Sequence, residues 1–489
     1  MKRTRAGTAA VATAATAATA AAAVGTRRAV AAYRDPDTRH RIERRTRIMR
    51  LTARRGLHFA TNKVRGRMAT EAQRAELDEQ FAIKTAQDVA QVLGGMKGAI
   101  MKAGQMLSFI ADGLPPEAQE ALATLQQDVP PMAPSLAAEV IRNELGNDPD
   151  RIFLEWSPTP LGAASIGQVH KAVTKDGRVV AVKVQYPGVD KAIKSDLDNA
   201  EMLYAMFASF AMKNLDVKAL VDELRERMAD ELDYRLEAEL QTEFADRYDG
   251  HPFIKVPKIV PELSTQRVLT SEWVDGMRFD DFIAKVDEPT RQKAAEVMFR
   301  FAQGAIQHHH VFNGDPHPGN YILHEDGTVT FLDFGLVKRW GPGELESLSG
   351  VLDAILERDV EGAIQAAIDA GFLPKDHGLD PQHIFEYVGG PYEPFQVDEF
   401  TYTRDWTSKA LQKVVDMSGE YGDVIRILNM PTSYVILDRV VWGMSALLGR
   451  LHATNNWRGL LAEYRKGEPP VTELGRIEAA WRDRRKATA

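Results

Sequence analysis

Along most of this chain apolar residues recur every three or four positions, and only a few stretches switch to the alternation of a sheet. From about Arg39 to Gln127 the spacing predicts helices throughout. Within that region, from MKGAIMKAGQMLS (96–108) on to the following turn, Met96, Ile100, Ala103, Leu107 and Ile110 fall on one narrow face. Lys102 and Gln105 come out together on the other side. Gly104 stands mid-helix, where glycine costs about 0.5–1 kcal/mol relative to alanine, so its small size should serve a close approach. Prolines at 130, 131 and 134 end this texture, and a short helix is expected near Ser135 to Leu145. LGAASIGQVHKAVTKDGRVVAVKVQYPG then reads as two strands joined by a turn at Lys175-Asp176-Gly177. Helical spacing returns from about Asp190 to Tyr248, and QRVLTSEWVDG reads as a strand running into a connector. After Asp280 the chain is mostly helical, broken by the hairpin YILHEDGTVTFLDFG with its turn at Asp326-Gly327. Tyr434 to Leu451 is apolar but for Asp438, Arg439 and Arg450, which reads as a core helix rather than a membrane span.

With 489 residues the chain exceeds a single compact core. The expected organisation is a basic alanine-rich arm (1–38), a helical extension (39–127), a strand-bearing lobe (128–275), a helical lobe (276–470) and a polar tail (471–489). The absence of cysteine excludes disulfides, thiolate metal sites and cysteine nucleophiles. Residues 1–68 hold 17 Lys/Arg against 3 Asp/Glu, a net of +14 on a remainder of −22. Such an arm suggests an anionic partner, and it has too few aromatic residues among its arginines for a base-stacking surface. A membrane surface is therefore expected and nucleic acid is not. TAAVATAATAATAAAAV (8–24) is a poor signal peptide and a marginal span, and reads as low-complexity helix or disorder, with a weak membrane anchor as the alternative.

The chemistry starts at Asp315. FNGDPHPGNYIL puts Asp315 and Asn320 on a proline-rich loop, and Asp333-Phe334-Gly335 follows after a strand. An Asp, then an Asn, then a hairpin ending in Asp-Phe-Gly is the phosphoryl-transfer half of a kinase-like site. Hard cations on nucleotide phosphates take oxygen ligands such as the Asp333 carboxylate and the Asn320 amide, and Asp315 can orient or deprotonate an attacking hydroxyl or water. Upstream, Lys183 ends VAVK on an apolar strand, where a kinase places its phosphate-gripping lysine. The loop before it, Gly162, Ala163, Ala164, Ser165, Ile166 and Gly167, stands where a glycine-rich phosphate loop would, but is poor in glycine and should be stiffer. A buried Lys183 needs a carboxylate, and ELDYRLEAEL offers Glu231, Asp233, Glu237 and Glu239. On a helix Asp233 and Glu237 share a face. The run His308-His309-His310 points three ways on a helix and reads as structural or solvated.

Over roughly residues 90–345 the chain resembles the UbiB-like atypical protein-kinase family. The resemblance rests on Lys102-Ala103-Gly104-Gln105 as its KxGQ signature, the alanine-rich loop with SIGQVH, VAVKVQYPGV, Glu231-Leu232-Asp233 as its ExD signature, DPHPGN and DFG. It implies an α+β, two-lobed protein-kinase-like fold with an N-terminal helical KxGQ extension. It implies that Lys183 pairs with Glu237, that Asp315 is the catalytic aspartate, and that Asn320 and Asp333 hold Mg²⁺. Nucleotide binding then falls to residues 162–167, Lys183, Glu272, Val274, Glu231 and Asp233, with Lys102 and Gln105 facing the phosphates. The implied cofactors are ATP or ADP with Mg²⁺. The implied activity is a lipid-stimulated ATPase or atypical kinase supporting isoprenoid-quinone biosynthesis, cytoplasmic and peripheral to the membrane. Its partners would be membrane lipids or quinone precursors, with quinone-biosynthesis enzymes and a homodimer as further options. A small-molecule or protein kinase and a nucleotide-gated scaffold are the alternatives. Two departures stand out: Gly162 begins the loop where alanine is common, and Asn313-Gly314-Asp315 replaces His-Arg-Asp.

Overall fold

The computed structural model describes residues 132–164, 166–190, 230–415, 419–429 and 432–488. The KxGQ segment with Lys102 and Gln105, the basic arm and Ser165 lie outside the described residues.

Helix α1 (Pro134–Leu145) begins on proline and stops at Gly146, whose φ of 80° favours glycine. Its buried residues Ala137, Val140 and Ile141 share one face, as helical spacing requires, and pack on a five-stranded antiparallel sheet. That sheet is built from β1 (Phe153–Trp156), β2 (Gly162–Ala163), β3 (Gly167–Thr174), β4 (Val179–Gln185) and, later in the chain, β6 (Val268–Glu272). Its order is β1-β3-β4-β6, with β2 also paired to β3. The β3–β4 turn falls at Lys175-Asp176-Gly177 as expected, with Gly177 at φ 87°. Along β4, Val180, Val182 and Val184 all enter the core beneath α1. Strand alternation therefore turns Ala181, Lys183 and Gln185 to the opposite face. Each buried valine stabilises by about 1.5–3 kcal/mol, so this register is firmly set and so is the side on which Lys183 emerges. On that side stands α2 (Tyr234–Arg247).

The helical lobe is centred on α4 (Glu288–Gln303), preceded by the short α3 (Phe279–Lys285). Asp287 caps α4 by accepting from the Thr290 amide at 3.0 Å, and residues 294–302 are all buried. A π-helical turn, Gly304–His308, leads into β7 (Val311–Asn313), which pairs with β10 (Val337–Arg339). Between them, β8 (Tyr321–Leu323) and β9 (Val329–Phe331) form the expected hairpin, with Gly327 at φ 77°, and β5 (Ile254–Lys255) joins β9 in parallel. Three helices, α5 (Glu344–Glu357), α6 (Val360–Asp369) and α7 (Pro381–Gly389), share a second core. The lobe continues through α8 (Arg404–Val415), α9 (Thr432–Leu451), α10 (Trp457–Arg465) and α11 (Glu473–Thr488). As the sequence suggested, α9 is a core helix: Leu437, Val440, Met444, Leu447, Leu448 and Leu451 are buried in the core of α4. No described helix is long and apolar enough to cross a membrane. The stretch expected as a polar tail is helical over Glu473–Thr488.

Candidate active site

Lys183 projects from β4 onto Glu237 of α2, with Nζ 2.9 Å from both Oε1 and Oε2. Burial works against the Lys183 ammonium, but Glu237 and Asp333 outweigh it and hold its pKa well above the ordinary lysine value. The Tyr234 ring lies 5.0 Å from the ammonium. Helix α2 begins at Tyr234, so Asp233 does not share a helical face with Glu237 as the spacing suggested. It is the N-cap, accepting from the Arg235 amide at 3.1 Å and from Arg235 Nε at 2.8 Å. Glu231 lies just upstream, where its main-chain oxygen faces Gln185 Nε2 at 3.5 Å.

The second half of the site is assembled by Asn313. Its amide nitrogen donates to the Asp333 carbonyl at 2.7 Å, and its amide oxygen accepts from the Asp315 N–H at 3.0 Å. Asn313 thus ties the catalytic-type loop to Asp333-Phe334-Gly335. Asp333 has φ 60°, a left-handed conformation uncommon outside glycine, and its Oδ1 accepts from the Gly335 amide at 3.1 Å. Its Oδ2 lies 3.9 Å from Lys183 Nζ, which brings the two halves together. Phe334 is fully buried, its ring 4.8 Å from that of Phe244 on α2. Asn320 closes a short 3₁₀ turn and donates from Nδ2 to the Asp315 carbonyl at 3.0 Å and to Asp315 Oδ2 at 3.3 Å. With its nitrogen engaged in this way, the Asn320 amide oxygen remains as an acceptor.

Asp315 is buried, and its Oδ1 pairs with Arg439 Nη2 at 2.5 Å. Sequence reasoning gave Arg439 no role beyond interrupting an apolar helix, although a charged residue among core positions was the available signal. The reason it reaches Asp315 is steric. Gly443, one turn along α9, lies so close to the loop that a Cβ there would stand 2.3 Å from Pro316 Cγ. Arg439 therefore reaches the Asp315 carboxylate from α9.

The remaining predicted residues line the strand-bearing lobe. Gly167 is tightly constrained: a Cβ would meet the Val184 carbonyl oxygen at 2.3 Å. Gly162 faces open space, and neither glycine has a positive φ. Among its described residues, then, this glycine-poor loop needs no left-handed backbone. Ala163 pairs with Gln168, and the Ala164 amide donates to the Gly167 carbonyl at 2.8 Å. Ile166 is buried, and its carbonyl accepts from the Tyr186 amide at 2.9 Å. Glu272 Oε2 accepts from the Lys258 amide at 2.9 Å, and Val274 follows, half-buried, in the connector to α3. The histidines diverge, but not along one helix: the π-helical turn ends at His308 and His310 has φ 53°, while His308 packs on Tyr464 at 5.1 Å and His309 on Tyr248 at 6.1 Å between ring centres.

The residues present suit a nucleotide with a divalent cation. No group of three or more His, Cys, Asp or Glu residues suited to a metal occurs among the described residues. Asp333 and Asn320 instead offer the two-oxygen set that a phosphate-borne cation needs.

The model of the ABC1 atypical kinase-like domain matches residues 124–367. An uncharacterized aarF domain-containing protein kinase of Arabidopsis thaliana, chloroplastic by name, is 33% identical over 312 residues, 63% of this chain and 43% of that one. An uncharacterized protein of Synechocystis sp. is 31% identical over 303 residues, 59% of this chain and 73% of that one. The chain spans about half the length of the first curated relatives it matches, from 43% to 54%. The structure of an Rv3197–erythromycin complex from Mycobacterium tuberculosis matches with a TM-score of 0.60 and 32% identity, over 81% of this chain and 100% of that one. The chain belongs to the ABC1 atypical kinase-like family, with its two-lobed α+β fold.

Proposed function

We propose that the chain binds Mg-ATP between its lobes and acts as an atypical kinase or ATPase on or with membrane lipids, in support of isoprenoid-quinone biosynthesis. The observation that carries the nucleotide reading is the buried Lys183–Glu237 pair with Asp333 3.9 Å from the same ammonium. Lys183, held charged and oriented by Glu237, would grip the α and β phosphates. Asp333 and Asn320 would hold Mg²⁺, which supplies charge neutralisation for the transferring phosphoryl group. Asp315 would orient the attacking hydroxyl or water. In this structure both Asp315 oxygens have partners, Arg439 on Oδ1 and the Asn320 amide nitrogen on Oδ2, and that second bond leaves the Asn320 amide oxygen to a cation. The lipid part rests on the resemblance and on the basic arm, a net of +14 on residues 1–68.

The Arg439–Asp315 pair favours one rival reading: a nucleotide-gated scaffold in which the catalytic aspartate is restrained. Hydrolysis of ATP by the purified chain, with and without anionic lipid vesicles, tests both, alongside Asp315→Asn. Lipid-stimulated turnover that the variant loses is expected. Nucleotide binding without turnover under any lipid condition would favour the scaffold.

A further inference from the structure

Helix α2 serves both halves of the site, so whatever fixes α2 fixes both. Its first turn carries Glu237, which holds Lys183; its last turn carries Phe244, which seats Phe334 and so the backbone of Asp333. About 10 Å of rigid helix separates the two. A third tie, from Glu243 to Arg339 Nη2, links α2 to β10 just past Asp333-Phe334-Gly335.

The last carbonyls of any helix lack intrahelical donors. At α2 they are met by a residue nearly at the other end of the sequence. Arg485 of α11 donates from Nη1 to the Arg247 carbonyl at 2.7 Å and to the Asp249 carbonyl at 3.4 Å. From Nη2 it donates to the Asp246 carbonyl at 2.5 Å. A guanidinium placed there also opposes the negative end of the helix dipole.

Helix α11 is itself firmly rooted. Glu478 is buried and accepts from Arg300 Nη1 at 3.1 Å and from the Tyr464 hydroxyl at 2.6 Å. Arg300 is fully buried on α4 and also pairs with Glu296 at 2.7 Å and Glu463 at 2.8 Å. Gly475 lets α11 start hard against this cluster, since a Cβ there would stand 2.5 Å from Arg300 Nη2. One turn on, Trp481 meets His251 edge-on, with ring centres 4.4 Å apart, just beyond the end of α2.

We propose that α11 is a strut that braces α2 from outside the site, with Arg485 as the positioning residue that keeps Glu237 on Lys183 and Phe334 in place. The inference rests on the nucleotide reading above. It assigns a role in nucleotide binding to a helix that touches neither phosphate-binding nor cation-binding residues.

The test uses the full chain and measures Mg-ATP affinity by calorimetry, with hydrogen exchange over residues 234–247. Arg485→Ala should weaken binding about three- to tenfold and speed exchange in that segment. Arg485→Lys, which keeps a charge and donors, should recover most of the loss. If the alanine variant does not fold, Arg485→Gln, uncharged but still a donor, takes its place. Lys183→Met separates the two levels of the argument. Should it leave Mg-ATP affinity unchanged, the nucleotide reading falls and the strut with it. Should it abolish binding while Arg485→Ala binds and exchanges like the unaltered chain, the strut alone is wrong. Exchange that quickens evenly over the whole chain, with no recovery by lysine, also overturns the strut.

Discussion

Two ion pairs at the site are equally buried yet built for opposite purposes. In each, the cationic side chain is 14% exposed and the carboxylate 8%. On the proposed nucleotide reading, the cation would be the working group in Lys183–Glu237, with the carboxylate holding it in place. In Arg439–Asp315 the carboxylate would be the working group and the cation would hold it. The first pair joins a strand to a helix inside the strand-bearing lobe, where the valines of β4 fix the side on which the lysine emerges. The second joins a loop to a core helix 124 residues away and depends on one glycine for its reach. Burial alone therefore does not say which partner does chemistry; the neighbours of each charge do.

Breaking the first pair should have the largest effect. Lys183→Met leaves Glu237 buried without its partner, and should cost about 3–5 kcal/mol in denaturant unfolding. It should also lower ATP turnover at least 100-fold, roughly the scale of losing one preorganised charge contact. Arg439→Met should cost less, about 2–3 kcal/mol, because Asn320 still donates to Asp315 Oδ2 at 3.3 Å. Mg-ATP affinity should hold within about threefold while turnover falls about tenfold, a split that steady-state kinetics with calorimetry resolves. A rise in turnover would instead favour the restrained-scaffold reading.

Gly443→Ala sharpens the contrast without touching a charge. Its Cβ would press on Pro316, so α9 must back away from the loop, at about 1–3 kcal/mol, and turnover should fall in the direction of Arg439→Met. Asp438, beside Arg439 on the same helix, provides a pH-resolved control. Burial raises its carboxyl from the ordinary 3.8 to about 7, so the stability it contributes is complete below 3.8 and lost as pH climbs through about 7. Asp438→Asn should therefore raise Tm by about 2–4 °C at pH 8 and hardly change it near pH 4. The smallest effect belongs to Gly162→Ala, which meets open space and should leave Tm within about 1 °C.

What was legible in the sequence follows the range of the forces involved. Alternation along VAVK, the turn glycines and the spacing from Asp315 to Asn320 to Asp333 are local, and each appears where expected. A buried lysine must find a carboxylate on the next helix, which left Glu231, Asp233, Glu237 and Glu239 open; the family resemblance singled out Glu237. Asp233 stands one residue outside the helix as its cap, because the first residue of a helix is set by a cap rather than by periodicity. Arg439 and α11 were not legible. Half of the residues in the helix over Glu473–Thr488 are charged, and Glu478 is buried only because Arg300, far back on α4, is there to receive it.

The most direct measurement is Mg-ATP binding by calorimetry to the unaltered chain, Asp333→Asn and Arg439→Met. The unaltered chain should bind, Asp333→Asn should lose at least about tenfold in affinity, and Arg439→Met should stay close to the unaltered chain. Equal binding by Asp333→Asn and the unaltered chain would contradict the assignment of this cleft as the nucleotide site.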